Sequence, residues 1–77
     1  MKINVLFFGI LTDISKQSKI ELSGIENISS LKSYLWNTYP EIKNMDFRIA
    51  VNKEIINDST VFKNGDEIAL LPPFAGG

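Results

Sequence analysis

The sequence predicts an α+β fold, a mixed sheet of four to five strands with one main helix packed on one face. Three observations carry that expectation. Segments near both ends alternate side chains in the period-two pattern of strands. A single stretch from Ile28 to Leu35 has the three-and-four spacing of an amphipathic helix. The 77 residues suffice for one small domain and no more. One helix covers one sheet face, so the other is left to water or to a partner.

The first strand is expected over Lys2–Phe8, with Ile3, Val5 and Phe7 on one side and Asn4, Leu6 and Phe8 on the other. Gly9 breaks it, and Leu11–Ser18 has room for a short turn of helix. Lys19–Ser23 alternates charged and aliphatic residues (Ile20, Leu22), as a half-exposed strand closing an antiparallel hairpin does. Helix signals begin at Asn27, whose side chain can accept backbone N–H bonds as an N-cap, with Ser29 and Ser30 as alternatives. Ile28, Leu31 and Leu35, joined by Tyr34 or Thr38, form the apolar stripe. Pro40 disfavours helix at Tyr39, which ends the helix there.

The second half returns to strands. Phe47, Ile49 and Val51 alternate with Arg48 and Ala50, and Asn52-Lys53 turns into a short strand around Ile55-Ile56. Val61 and Phe62 precede Asn64-Gly65, a tight-turn signal because glycine accepts positive φ at little cost. Glu67–Leu71 is the last strand. The order β-β-α-β-β(short)-β lets the first and last strands lie side by side with the helix across one face, which is the β-grasp, or ubiquitin-like, arrangement. The expected core is Ile3, Val5, Phe7, Ile20, Leu22, Leu31, Leu35, Ile49, Val51, Phe62, Ile68 and Leu70. The expected organisation is a domain over residues 1–71 and an extended flexible C-terminal tail over residues 72–77.

Composition narrows the function. Eight basic against nine acidic residues leave a formal charge of −1, so no basic field offers itself to nucleic acid or to an anionic membrane. Cysteine and histidine are both absent. Thiolate catalysis, disulfides, thiolate or imidazole metal ligands, and proton transfer by imidazole are therefore excluded. Apolar runs around Ile3–Leu11 and Ile68–Phe74 are too short to span a bilayer, and Met1-Lys2 leads straight into a strand without a signal-peptide cleavage site. The expectation is a cytoplasmic domain without bound metal or cofactor. There is no glycine-rich phosphate loop and no Ser/His/Asp set; Asp13, Glu26 and Asp46 read as solvated charge. An autonomous enzyme is not predicted.

The sheet face away from the helix nevertheless looks unsuited to water. It is assigned Leu6, Phe8, Ala50, Ala69 and Leu71, with Ile55 at its rim, and a contiguous apolar patch on a small domain marks a binding surface. Arg48, the only arginine, sits on a strand beside it, as a solvated edge charge or as the mate of a partner's carboxylate. After Leu71 the chain runs Pro72-Pro73-Phe74-Ala75-Gly76-Gly77. Two prolines end ladder pairing and stiffen the backbone, and six residues reach roughly 20 Å. Gly76-Gly77 supplies a thin end suited to a narrow channel.

Leu71-Pro72-Pro73-Phe74-Ala75-Gly76-Gly77, preceded by Asn64-Gly65-Asp66-Glu67-Ile68-Ala69-Leu70, resembles the C-terminus of the MoaD family, the small subunit of molybdopterin synthase. Val5-Leu6-Phe7-Phe8-Gly9 and Ala50-Val51-Asn52 look like that family at matching places. The resemblance covers nearly the whole chain, least diagnostically from Lys16 to Met45. It implies a sulfur carrier: the Gly77 carboxylate, presented with Gly76, would be adenylated by a separate MoaD-activating enzyme that consumes ATP, then converted to a thiocarboxylate. The charged carrier would dock on a MoaE-like large catalytic subunit, insert its tail and give sulfur to a precursor pterin, building the molybdopterin dithiolene. It also implies a heterotetramer. In the family the docking face is the uncovered side of the sheet. That makes Leu6, Phe8, Ile55 and Leu71, with Pro72, Pro73, Phe74 and Ala75 of the tail, the expected partner-binding residues.

The chemistry stands apart from the family name. A free carboxylate is a poor acyl donor, adenylation gives it a leaving group, and docking makes attack by the soft thiocarboxylate sulfur effectively intramolecular. Without cysteine, covalent sulfur on this chain would sit at the terminal carboxylate. Rival readings are a β-grasp carrier for thiamine, tRNA thiolation or cysteine synthesis, a ubiquitin-like modifier forming isopeptides through Gly77, and a non-covalent binding module with an incidental glycine tail.

Overall fold

The computed structural model describes residues 1–56 and 60–72. β1 (Lys2–Phe7) leads through a short helix α1 (Ile10–Ser15) to β2 (Lys19–Ser23). The main helix α2 (Ile28–Thr38) is followed by a 3-10 turn (Pro40–Asn44), then β3 (Arg48–Val51), β4 (Glu54–Ile55) and β5 (Glu67–Leu71). The five strands form one sheet in the order β2-β1-β5-β3-β4. β1 and β5 lie side by side and parallel, with Val5 opposite Ile68 and Phe7 opposite Leu70; the other pairings are antiparallel. This is the expected β-grasp architecture.

Local chemistry explains the boundaries. Asn27, extended at φ −154°, accepts the Ser30 backbone N–H on its side-chain oxygen at 2.8 Å and so starts α2. The helix ends at Thr38, one residue before the expected stop, and Pro40 then opens the 3-10 turn at a position where its missing N–H costs nothing. Asn52 and Lys53 both take positive φ, 51° and 75°, the conformation a two-residue hairpin turn requires. The Asn52 side chain then accepts from the Glu67 N–H and donates to Asp66, both at 3.0 Å, while Asp66 accepts from the Lys63 N–H at 2.8 Å. The Ala50-Val51-Asn52 and Asn64–Glu67 segments are thus one polar clamp between the end of β3 and the start of β5.

The core holds Ile3, Val5, Phe7, Leu31, Leu35, Ile49, Phe62, Ile68 and Leu70 as expected, and adds Leu11, Ile28 and Ile42. Leu11 comes from α1, which begins and ends earlier than the expected Leu11–Ser18, and Ile42 from the 3-10 turn, which the sequence reading did not contain. Three expected members are only partly buried. Ile20 and Leu22 lie on β2, an edge strand without a neighbour on one flank, and Val51 stands beside the two-residue β4. β3 starts at Arg48, so Phe47 packs against the core from outside the ladder, and the short strand is Glu54–Ile55 rather than Ile55-Ile56. No helix among the described residues is long and apolar enough to cross a membrane.

Candidate functional site

Register places the predicted partner-binding residues on one face. Leu6 lies opposite Ala69, Ala69 opposite Ala50, and Ala50 opposite Ile55. Because residues directly opposite share a face, these four make an apolar row across β1, β5, β3 and β4, on the side away from α2. A second row lies two residues nearer the C-terminal end of β5: Leu71 is opposite Arg48, and Phe8 follows Leu6 by two just beyond the end of β1. Phe8 is 44% exposed and Ile55 57%, while Leu6 and Leu71 are half-buried. Ala50, by contrast, is buried although it faces this open side, between Ala69 and Ile55 on the neighbouring strands.

Arg48 is exposed at the edge of this row, and Asp13, Glu26 and Asp46 are exposed as expected. A cleft between α2 and the β3–β4 edge, floored by Ile28, Ile49 and Ile56, lies to one side, and Arg48 and Ile55 border it. Of the titratable groups described, Tyr39 has its phenol raised above its usual pKa, first by burial and then by neighbouring Tyr34. It packs edge-on against Phe7, ring centroids 5.7 Å apart, partly buried against the core.

The root of the tail is held by a contact that sequence reading missed. Since β1 and β5 are parallel, both strands finish at the same end of the sheet, and Gly9 meets Pro72. Gly9 has φ +58° and ψ −135°, a region L-residues rarely enter. A Cβ there would stand 2.9 Å from the Pro72 Cγ. The proline ring therefore rests on bare glycine backbone. Gly9 also caps the start of α1, its carbonyl accepting the Thr12 N–H at 3.0 Å, and the Thr12 hydroxyl donates to the Phe7 carbonyl at 2.9 Å. In the sequence Gly9 shows as a strand breaker and as the last residue of the Val5-Leu6-Phe7-Phe8-Gly9 motif; the contact spans 63 positions and needs the parallel pairing to exist. Pro73, Phe74, Ala75, Gly76 and Gly77 lie outside the described residues.

Comparison with known proteins gives these features a family. Residues 5–77 match the ThiS family. The molybdopterin synthase sulfur carrier subunit of Mycobacterium tuberculosis is 34% identical over 82 residues, covering 100% of this chain and 99% of that protein. Among solved structures, a protein–protein complex of subunits 1 and 2 of the molybdopterin-converting factor from Helicobacter pylori contains a chain similar at 32% identity and a TM-score of 0.77, over 100% of both chains. The solution structure of small archaeal modifier protein 1 from Methanosarcina acetivorans is similar at 27% identity and a TM-score of 0.79, over 99% of this chain and 96% of that one. A family match over nearly the full length, together with a relative above 30% identity from end to end, makes this chain a member of the ThiS/MoaD family.

Proposed function

We propose that this chain is the sulfur carrier subunit of molybdopterin synthase, with the Gly77 carboxylate as its working group. The observation that carries the reading is the end-to-end similarity to a molybdopterin synthase sulfur carrier subunit. The open apolar face and the Gly9 seat under Pro72 support it, since they give a docking surface and a fixed root for a tail at the same end of the sheet.

In this reading a separate activating enzyme transfers AMP from ATP to the Gly77 carboxylate, releasing pyrophosphate. A sulfur donor then displaces AMP and leaves a thiocarboxylate. Residues 72–77 form the extended arm that carries this group into the large catalytic subunit, where the precursor pterin is bound. The thiocarboxylate sulfur attacks a side-chain carbon of the pterin and expels an oxygen leaving group from it, joining carrier and pterin through a thioester. Water then adds to the acyl carbon and cleaves the acyl–sulfur bond, leaving a thiol on the pterin and restoring the carboxylate. The carrier supplies position, and the large subunit supplies catalysis. Leu6, Phe8, Ile55 and Leu71 form the docking face, Pro72 to Ala75 contact the large subunit along its passage, and Gly76-Gly77 thread the narrowest part. The setting is the cytoplasm, and the complex is a heterotetramer with two carriers on a large-subunit dimer.

A second reading has its own support, the similarity to a small archaeal modifier protein, and would make Gly77 an isopeptide donor to lysines. Intact-mass analysis separates the two: replacement of one terminal oxygen by sulfur on the free protein supports the carrier, and lysine adducts on many proteins support the modifier. Deleting Gly77, or extending the chain by one residue that cannot be trimmed, is expected to abolish dithiolene formation by the reconstituted subunits without lowering the melting temperature. Retained product formation would overturn the assignment of Gly77.

A further inference from the structure

The open face is divided electrostatically along the strands. Farther from the tail, Glu21, Asn4 and Glu67 stand opposite one another, and in the row beyond them Lys2 stands opposite Ser23, its ammonium 3.9 Å from the Glu21 carboxylate. Toward the tail the two rows read Lys19, Leu6, Ala69, Ala50, Ile55 and then Phe8, Leu71, Arg48. That half carries no acid on its strands. Its two cations stand at opposite flanks of the apolar band, Lys19 on edge strand β2 and Arg48 on β3. Both are exposed, and neither makes an ion pair among the described residues. Asp46, two residues before Arg48 and outside the strand, is exposed and is not paired with it.

We infer that the large subunit receiving the tail presents two acidic side chains flanking an apolar ridge, one for Lys19 and one for Arg48. β2 and β3 are separated by three strand spacings and Arg48 lies one row nearer the tail than Lys19, so the two acids lie about 16 Å apart. This deepens the carrier reading and rests on it. The apolar band supplies contact area, and the two flanking charges set the rotation of the carrier about that contact. Rotation is what decides whether the tail meets the entrance of the partner's channel. Two cations at the flanks restrict the rotation to one orientation and its half-turn counterpart, and the Glu21 and Glu67 row, present on one side only, distinguishes these two.

The test is a titration of the large subunit with full-length carrier, wild type and single variants, at NaCl from about 50 to about 500 mM. Arg48→Glu and Lys19→Glu are each expected to weaken binding about tenfold or more at low salt and to flatten the salt dependence. Lys2→Glu changes net charge equally on the far half of the same face, and its affinity is expected to stay near wild type. Arg48→Lys is expected to keep most of the affinity. Equal loss in all three reversals would show a general charge effect and overturn the inference, as would no loss in Arg48→Glu and Lys19→Glu. Failure of the wild-type carrier to bind at any salt would instead bring down the carrier reading itself, and this inference with it.

Discussion

Phe7 and Phe8 are the same side chain on consecutive residues, and the fold treats them oppositely. Phe7 is 3% exposed, packed in the core and edge-on to Tyr39; Phe8 is 44% exposed on the face without a helix. The difference follows the pleat, which turns successive side chains to opposite faces, and Phe8 lies one residue past the end of β1. With one helix available, the protein buries the odd face of β1 and leaves the even face apolar and uncovered. A domain of this size has little core to spare, so apolar side chains kept outside the core are best explained by an intermolecular role.

Substitution at each phenylalanine is the most direct way to break that comparison. Phe7→Ala removes a fully packed ring and is expected to cost about 3–5 kcal/mol of folding free energy. A 77-residue domain has about 4–12 kcal/mol in total, so the variant should lose a large share of its stability and melt far below the wild type by circular dichroism. Phe8→Ala is expected to cost about 1 kcal/mol of folding or less, while weakening large-subunit binding by about 2 kcal/mol, which is roughly 30-fold in Kd. Calorimetric titration and thermal melting on the same preparation check both halves. Equal losses in folding and binding would mean that Phe8 serves the core, as a register one residue off would have made it do.

The same contrast explains what could be read from sequence. The face of each side chain follows from parity, so the core strand positions Ile3, Val5, Ile49, Ile68 and Leu70 and the open-face positions Leu6, Phe8 and Leu71 were legible from alternation alone. Asn27 and Pro40 bound the helix through local hydrogen bonding, which sequence also shows. What escaped depends on tertiary neighbours. Ile42 is buried by a 3-10 turn that no period announces, Ile20 and Leu22 are partly exposed because β2 is an edge, and Val51 because β4 is short. Asn52 and Asp66 are 14 positions apart and join only once β3 and β5 pair. The charge division of the open face likewise appears only when Lys19, Leu6, Ala69 and Ala50 are set in register.

Gly9 is the place where core and open face meet the tail, and it gives the smallest of these effects. Gly9→Ala adds one methyl at φ +58°, 2.9 Å from the Pro72 ring, and is expected to cost about 1–2 kcal/mol of folding through backbone strain and the close contact together. Strain alone would lower the melting temperature and leave the sulfur-transfer rate of the assembled complex intact. If the glycine seats the tail, the displaced ring also redirects residues 72–77, and turnover falls while large-subunit affinity holds. A double-mutant cycle with Pro72→Ala separates the two causes. With the ring trimmed, the added methyl has room, so Gly9→Ala should cost less turnover in the Pro72→Ala background than in the wild type. An identical cost in both backgrounds would assign the whole effect to the backbone of Gly9 and remove Pro72 from it.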